Sequence, residues 1–189
     1  MKIKVLVIGI VMAVAAPLAM AEGTGLYGAV DVGQSKISDV CTGIPAGVSC
    51  NDSATDYRLS VGYQINPSIG IEGSYVDSGK YAASGLGLTV DVKSTEWQLA
   101  AVGTLPVANG FSVLGKAGLA LWDLKTSSSG PVPPGWNPTG NDFLWGIGAQ
   151  YDITKAVAVR GLYDSHMIGN STTSRSHLSA LNVGVVYKF

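Results

Sequence analysis

The chain has 189 residues, enough for one domain or two small ones, with 12 Lys and Arg against 13 Asp and Glu and a net charge of −1. That balance excludes the basic surface a nucleic-acid-binding protein needs, and it excludes a disordered acidic tail. Charged residues make up only 13% of the sequence and apolar ones 47%, 25 glycines and 8 prolines mark many turns, and two cysteines are too few for a disulfide-framework miniprotein or a cysteine-based zinc site.

Residues 1–21 read as a secretory signal peptide. Lys2 and Lys4 give a positive start, residues 5–16 are an uninterrupted apolar run, and Ala19-Met20-Ala21 is a small-x-small cleavage site. A membrane anchor is the alternative, but the run is shorter than the roughly 20 residues a spanning helix needs. Residues 22–189 then form the exported domain, with 10 basic against 13 acidic side chains once Lys2 and Lys4 are removed. Export places the cysteines in an oxidising compartment.

The exported part alternates apolar and polar residues in eight segments. Residues 26–35 set Leu26, Val30 and Val32 against Tyr27, Ala29 and Asp31. Residues 56–65 set Tyr57, Leu59, Val61, Tyr63 and Ile65 against Asp56, Arg58, Ser60 and Gln64. Residues 68–77 set Ile69, Ile71 and Tyr75 against Glu72 and Ser74, and residues 94–105 set Trp97, Leu99, Ala101 and Leu105 against Glu96, Gln98 and Thr104. Residues 111–123 set Phe111, Val113, Ala117, Leu119 and Leu121 against Ser112, Lys116 and Trp122. Residues 143–152 set Phe143, Trp145, Ile147, Ala149 and Tyr151 against Gly146, Gly148 and Gln150. Residues 156–165 set Val157, Val159 and Tyr163 against Arg160 and Asp164, and residues 178–189 set Leu181, Val183, Val185, Tyr187 and Phe189 against Asn182 and Lys188. A period of two predicts half-apolar strands, and no window keeps the i, i+3, i+4 spacing of an amphipathic helix.

The connections alternate in length. Tight turns are predicted at Asn66-Pro67, at 106–110 and at 153–155, and long polar loops at 36–55, 78–93, 126–141 and 166–177. The stretch 127–135, with three serines, two glycines and three prolines, is expected to be a mobile loop that packs no core. Cys41 and Cys50 flank eight residues of the first long loop, including Gly43, Pro45 and Gly47. A loop disulfide is expected there, the alternative being two free thiols.

Two eight-stranded barrels fit this rhythm, one with the apolar parity inward and one with it outward. A water-facing exterior carries many charges. Here the polar parity is mostly Gly, Ser, Ala, Gln and Asn with about one charge per strand, which suits a narrow lumen. The apolar parity suits lipid, with Tyr57, Tyr63, Tyr75, Trp97, Trp145, Tyr151, Tyr163, Tyr187 and Phe189 mostly near strand ends, as in aromatic girdles. Strands of about 10 residues, tilted and closed into a ring, span a bilayer with every backbone group paired. The sequence therefore predicts an all-β, eight-stranded antiparallel up-and-down transmembrane β-barrel.

Several stretches, in order and at strand spacing, resemble the OmpA-like family of eight-stranded outer-membrane barrels. They are Tyr27-Gly28-Ala29-Val30-Asp31-Val32-Gly33, Val61-Gly62-Tyr63-Gln64-Ile65-Asn66-Pro67, Gly115-Lys116-Ala117-Gly118-Leu119-Ala120-Leu121-Trp122, and residues 146–154. The end, Val183-Gly184-Val185-Val186-Tyr187-Lys188-Phe189, also fits, and its Tyr187 and terminal Phe189 resemble the signal read by the outer-membrane assembly machinery. The type protein of that family carries a peptidoglycan-binding domain after its barrel; this sequence ends at Phe189, so cell-wall anchoring is not expected of it.

By parity, Asp31, Arg58, Glu72, Glu96, Lys116 and Arg160 point into the lumen. The resemblance implies that Glu72, Lys116 and Arg160 match lumen residues whose exchangeable pairing gates a small pore in the family; a further lumen Glu of the family is Gln150 here. The alternative is a static plug of paired charges, since an unpaired buried charge is costly. His177 and Ser179 form an outward His-x-Ser, a relation used by lipid A deacylases, yet no acid is placed to orient the histidine. His166 is assigned to the start of a loop. No cofactor or metal fingerprint is present.

The expectation is a monomeric, non-enzymatic protein of the cell outer membrane, in contact with outer-membrane lipid and lipopolysaccharide, serving envelope integrity or surface interaction with at most minor pore activity. The rival readings are an adhesin or host-factor binder acting through 36–55 and 126–141, a small-solute channel, and a lipid A-modifying enzyme. No surface ligand is named by the sequence.

Overall fold

The computed structural model describes residues 24–189 except 39, 42, 44–46, 86–87, 130–136 and 170–174. The signal peptide expected at 1–21 lies outside the described residues. Among those residues there are no helices and nine strands: β1 (Gly25–Ile37), β2 (Val48–Asn51), β3 (Ser53–Asn66), β4 (Ile69–Gly85), β5 (Leu88–Ala108), β6 (Phe111–Ser129), β7 (Thr139–Asp152), β8 (Val157–Ile168) and β9 (Ser176–Lys188). All pairings are antiparallel, and β1, β3, β4, β5, β6, β7, β8 and β9 pair in that order with β9 returning to β1. Eight strands thus form a closed ring without an edge. The short β2 adds to the far end of β4.

The side-chain alternation decides which face is which. Val30, Val32, Leu59, Val61, Leu99, Leu119, Ile147, Leu181 and Val183 stand exposed on the outer wall, Leu181 and Val183 at 65% each. Their strand neighbours Asp31, Arg58, Ser60, Gln98 and Asn182 are buried inside. Aromatic pairs ring the wall, with Phe111–Tyr151 and Tyr187–Phe189 toward one end and Trp145–Tyr163 and Tyr75–Trp97 toward the other.

The tight turns are fixed by local chemistry. Asn66 Oδ1 accepts from the backbone N–H groups of Ser68 and Ile69, both at 2.9 Å. Thr154 Oγ1 accepts from Ala156 at 3.2 Å and Val157 at 2.9 Å. Asn109 and Gly110 both have positive φ (43° and 84°), the left-handed pair that a two-residue hairpin turn requires and that Asn-Gly adopts at least cost.

At the opposite end the structure corrects the sequence reading. The region 78–93 is not a loop: β4 and β5 continue as a paired hairpin to Gly85↔Leu88, with a register shift between Ser78 and Lys80. Ser127, Ser128 and Ser129, expected in a mobile loop, pair with Asp91, Val90 and Thr89; residues 130–135 of that expectation lie outside the described residues. His166 sits within β8, not in a loop. β5 has 21 residues. At about 3.4 Å per residue and a tilt near 40° such a strand stands about 55 Å high, roughly twice the ~25 Å apolar band of an outer-membrane barrel.

Cys41 and Cys50 form a disulfide with their Cα atoms 5.8 Å apart, tying the connection after β1 to β2. Ile37 N–H donates to Asp52 O at 3.0 Å, and Lys36 pairs with Asp52 at 3.2 Å. The half-buried Asp52 carboxyl is held below the usual carboxylate range by the Ser53 hydroxyl and then by Lys36.

Candidate functional site

The lumen is filled in layers. Nearest the tight turns, Tyr27, Ala29, Ala158 and Val186 form a small apolar cluster. Above it lies an ionic layer centred on Arg160 of β8. Its Nε and Nη2 grip both oxygens of Asp31 of β1 at 2.8 and 2.7 Å, Nη1 donates to Glu72 of β4 at 2.6 Å, and Nη2 also reaches Ser60 Oγ at 3.2 Å. Glu72 further accepts from Lys116 Nζ at 3.2 Å, Ser74 Oγ at 3.2 Å and Tyr27 OH at 3.1 Å. Lys116 donates again to Gln98 Oε1 at 3.2 Å. Two acids face two bases, every one at most 4% exposed. Bidentate guanidinium–carboxylate bonds of this kind are the strongest a protein makes.

The backbone makes room for this layer. Gly184 of β9 lies opposite both Asp31 and Arg160 in register. A Cβ on Gly184 would overlap Asp31 Oδ1 and Val30 O, so a glycine there lets the carboxylate turn toward Arg160.

A second polar layer follows. Arg58 of β3 pairs with Asp164 of β8. Asp56 accepts from Asn182 Nδ2 at 3.0 Å and Ser78 Oγ at 3.2 Å. Glu96 accepts from Gln98 Nε2 at 3.0 Å and Ser94 Oγ at 3.4 Å, and His166 Nε2 stands 3.4 Å from Glu96 Oε1. Over this lies a second apolar cluster of Ile37, Ala54, Tyr81, Trp122, Leu124, Ile168 and Leu178, with Val92 against it. Tyr81 OH and Ser35 Oγ share a 2.6 Å hydrogen bond at its base.

The structure therefore places Asp31, Glu72, Lys116 and Arg160 in one network and Arg58 and Glu96 in the layer above it. Sequence reasoning left out Asp56, Asp164 and Asn182, although all three share the inward parity of residues it chose, and left out His166 because the strand was ended too early. Gln150 is half-buried and donates to Asp152 Oδ1 at 3.0 Å, lying opposite Arg160 in register. His177 is exposed, while Ser179 Oγ lies 3.5 Å from Ser165 Oγ. Tyr187 and Phe189 stack edge to face outside the barrel, centroids 5.0 Å apart, and Phe189 N–H donates to Leu26 O at 3.0 Å. Among the described residues no group of three His, Cys, Asp or Glu side chains is arranged to hold a metal ion.

Comparison with known proteins gives this architecture a family. Residues 5–189 match the family model described as the outer membrane protein beta-barrel domain. Outer membrane protein A of Salmonella typhi is 30% identical over 133 residues, 68% of this chain but only 38% of that protein, so the chain spans under two fifths of this relative's length. Neisserial surface protein A superposes with a TM-score of 0.66 at 21% identity, covering 87% of this chain and 97% of that one. Ail, the attachment invasion locus protein of Yersinia pestis, solved in complex with the heparin analogue sucrose octasulfate, gives 0.56 at 15% identity, covering 87% and 99%. The likeness to OmpA-like barrels read from the sequence is borne out, and the tight-turn end is the periplasmic one by the rule that holds for such barrels. The chain belongs to the outer membrane protein beta-barrel domain family and is a β-barrel protein of the outer membrane.

Proposed function

We propose that this protein is a closed, non-enzymatic barrel that contributes to envelope integrity and presents a rigid surface outside the cell, its lumen a static plug and not a pore. The observation that carries this reading is the paired ionic layer around Arg160, roofed by seven buried apolar or aromatic side chains. An exchangeable gate needs a spare partner for each ion. Arg160 instead spends its donors on three acceptor residues at once, and Glu72 receives four donors. Planar-bilayer recording of the purified protein tests it: no steady conductance is expected, and a resolved open level would refute the plug.

Surface interaction is favoured over a purely mechanical role by the outer rim. β4, β5 and β6 rise well beyond the aromatic pair Tyr75–Trp97, and the disulfide pins the neighbouring connection to β2. Lys93–Asp77 and Lys80–Asp91 pair on the rim's outer face at 2.9 and 3.2 Å. A neighbour in fold, Ail, was solved with a heparin analogue; a ligand of this chain would be sought on the raised rim. Deleting residues 38–47 or 130–136 is expected to abolish such binding with the barrel still resistant to unheated detergent.

The contacts proposed for the wall are outer-membrane lipid and lipopolysaccharide, with the protein a monomer. Tyr187 and Phe189 are proposed as the signal for the assembly machinery. Removing Phe189 should lower the yield of folded barrel in cells while leaving refolding of the purified chain in detergent intact.

A further inference from the structure

The lumen is not filled evenly. A vestibule of about 670 Å³ opens among the tight turns at Pro67, Pro106 and Gly110 and runs inward to Tyr27, Leu114 and Arg160. Its walls carry neutral polar groups, including Gln64, Thr104, Ser112 and Gln150, and its rim holds Lys155 and the Asp152–Lys188 ion pair at 2.8 Å. Beyond Arg160 the space closes. Ser35, Ser78 and Ser94 are at most 1% exposed, and the roof over them is apolar.

We propose that the barrel is a blind pocket open to the periplasm alone, admitting water and small neutral polar solutes as far as Arg160, and that the apolar roof is the seal on the outer side. The wall chemistry between rim and floor supports a neutral occupant. Arg160 at the floor has four of its five N–H donors engaged by Asp31, Glu72 and Ser60 and its charge met by two carboxylates, which disfavours a further anion there. Amide and hydroxyl side chains on the walls can exchange hydrogen bonds with water or a polyol at little cost. The roof works differently from the ions beneath it. Trp122, Leu124, Ile168, Leu178 and Ile37 are buried against one another, and opening them means exposing apolar surface from four strands together with Tyr81 of β4.

This inference rests on the closed-lumen reading, and the two fail separately: conductance refutes the plug, whereas thiol labelling decides the pocket. Single cysteines are placed at Ser112, in the vestibule, and at Ser35, under the roof, in the full chain with the Cys41–Cys50 bond left oxidised. N-ethylmaleimide is the probe, in detergent micelles, with folding verified by the electrophoretic shift on heating. S112C is expected to react about 100-fold faster than S35C, the scale of protection a closed native region gives. Adding W122A and Y81A should raise the S35C rate to near that of S112C; where that background fails to fold, I37S with L178S serves instead. Equal rates in the parent overturn the proposal, as does a folded roof variant in which Ser35→Cys stays slow.

Discussion

Replacing Arg160 by methionine removes the centre of the inner ionic layer while keeping most of its bulk. The four hydrogen bonds that the guanidinium makes to Asp31, Glu72 and Ser60 go with it. Glu72 keeps Lys116, Tyr27 and Ser74, but Asp31 keeps no side-chain donor among the described residues, and it is 2% exposed. Removing one partner of a buried pair costs about 3–5 kcal/mol because the other charge is left uncompensated. Lys116→Met should cost less, about 1.5–3 kcal/mol, since Glu72 still holds Arg160 and only two bonds of 3.2 Å are lost. The combination Arg160→Met with Asp31→Asn should be more stable than Arg160→Met alone, because the stranded charge is gone. Urea unfolding in phospholipid vesicles, followed by tryptophan fluorescence and by the shift on heating, measures all three. An Arg160→Met barrel within about 0.5 kcal/mol of the parent, the range of an ordinary surface change, would refute the reasoning.

Further outcomes follow from single features. Gly184→Ala should destabilise by about 1–3 kcal/mol, as overpacking does, because its Cβ meets Val30 O and Asp31 Oδ1; Gly115→Ala, whose Cβ meets nothing within 4 Å, should unfold at the same urea concentration as the parent. Reducing Cys41–Cys50 should expose the segment after β1 to protease, with a loss of about 2–3 kcal/mol confined to that connection, and leave the barrel's gel shift unchanged; alkylation without reductant would show the bond absent. Asp52 is depressed in the folded protein, so whatever its pairing with Lys36 contributes is present above the ordinary aspartate range and is lost as pH falls through the folded value. A carboxyl chemical shift that titrates at the ordinary aspartate value would contradict this.

The strand rhythm and the inward set were legible because each spanning strand has lipid on one side and a packed lumen on the other, so polarity and parity coincide. Arg58 and Asp56 show the limit of judgement more than of signal: both carry the same parity two residues apart, and only one was chosen. The region 78–93 was illegible for a physical reason. Above the bilayer the outer face meets water, so Lys80, Lys93 and Lys125 point outward while Tyr81, Val92 and Leu124 point in. Geometry keeps alternating, but the polarity inverts, and the register shift between Ser78 and Lys80 moves the parity of β4 by one residue at the same place. A reader tracking apolar-out strands sees the pattern dissolve and writes a loop. The layered filling of the lumen was hidden for the same reason, because Trp122 read as a misplaced member of a polar parity.

The inversion of polarity locates the outer membrane surface, and β6 offers a test along one strand. Its outward residues run Phe111, Val113, Gly115, Ala117, Leu119, Leu121, Asp123 and Lys125. The apolar part ends between Leu121, which is 54% exposed, and Asp123. Inward, the switch falls at the same height: Lys116 is polar, whereas Trp122 and Leu124 belong to the roof. A lysine introduced at Ala117, near the middle of the apolar run, should cost about 2–4 kcal/mol, falling to about 0–1 kcal/mol at Leu121, where the ammonium can reach the interface. Leu119→Lys should lie between them. The same urea titration in vesicles reads the series. A flat cost along these three positions would mean that the wall faces something other than a bilayer, and a cost that rises toward Leu121 would place the membrane around the raised hairpin instead of below it.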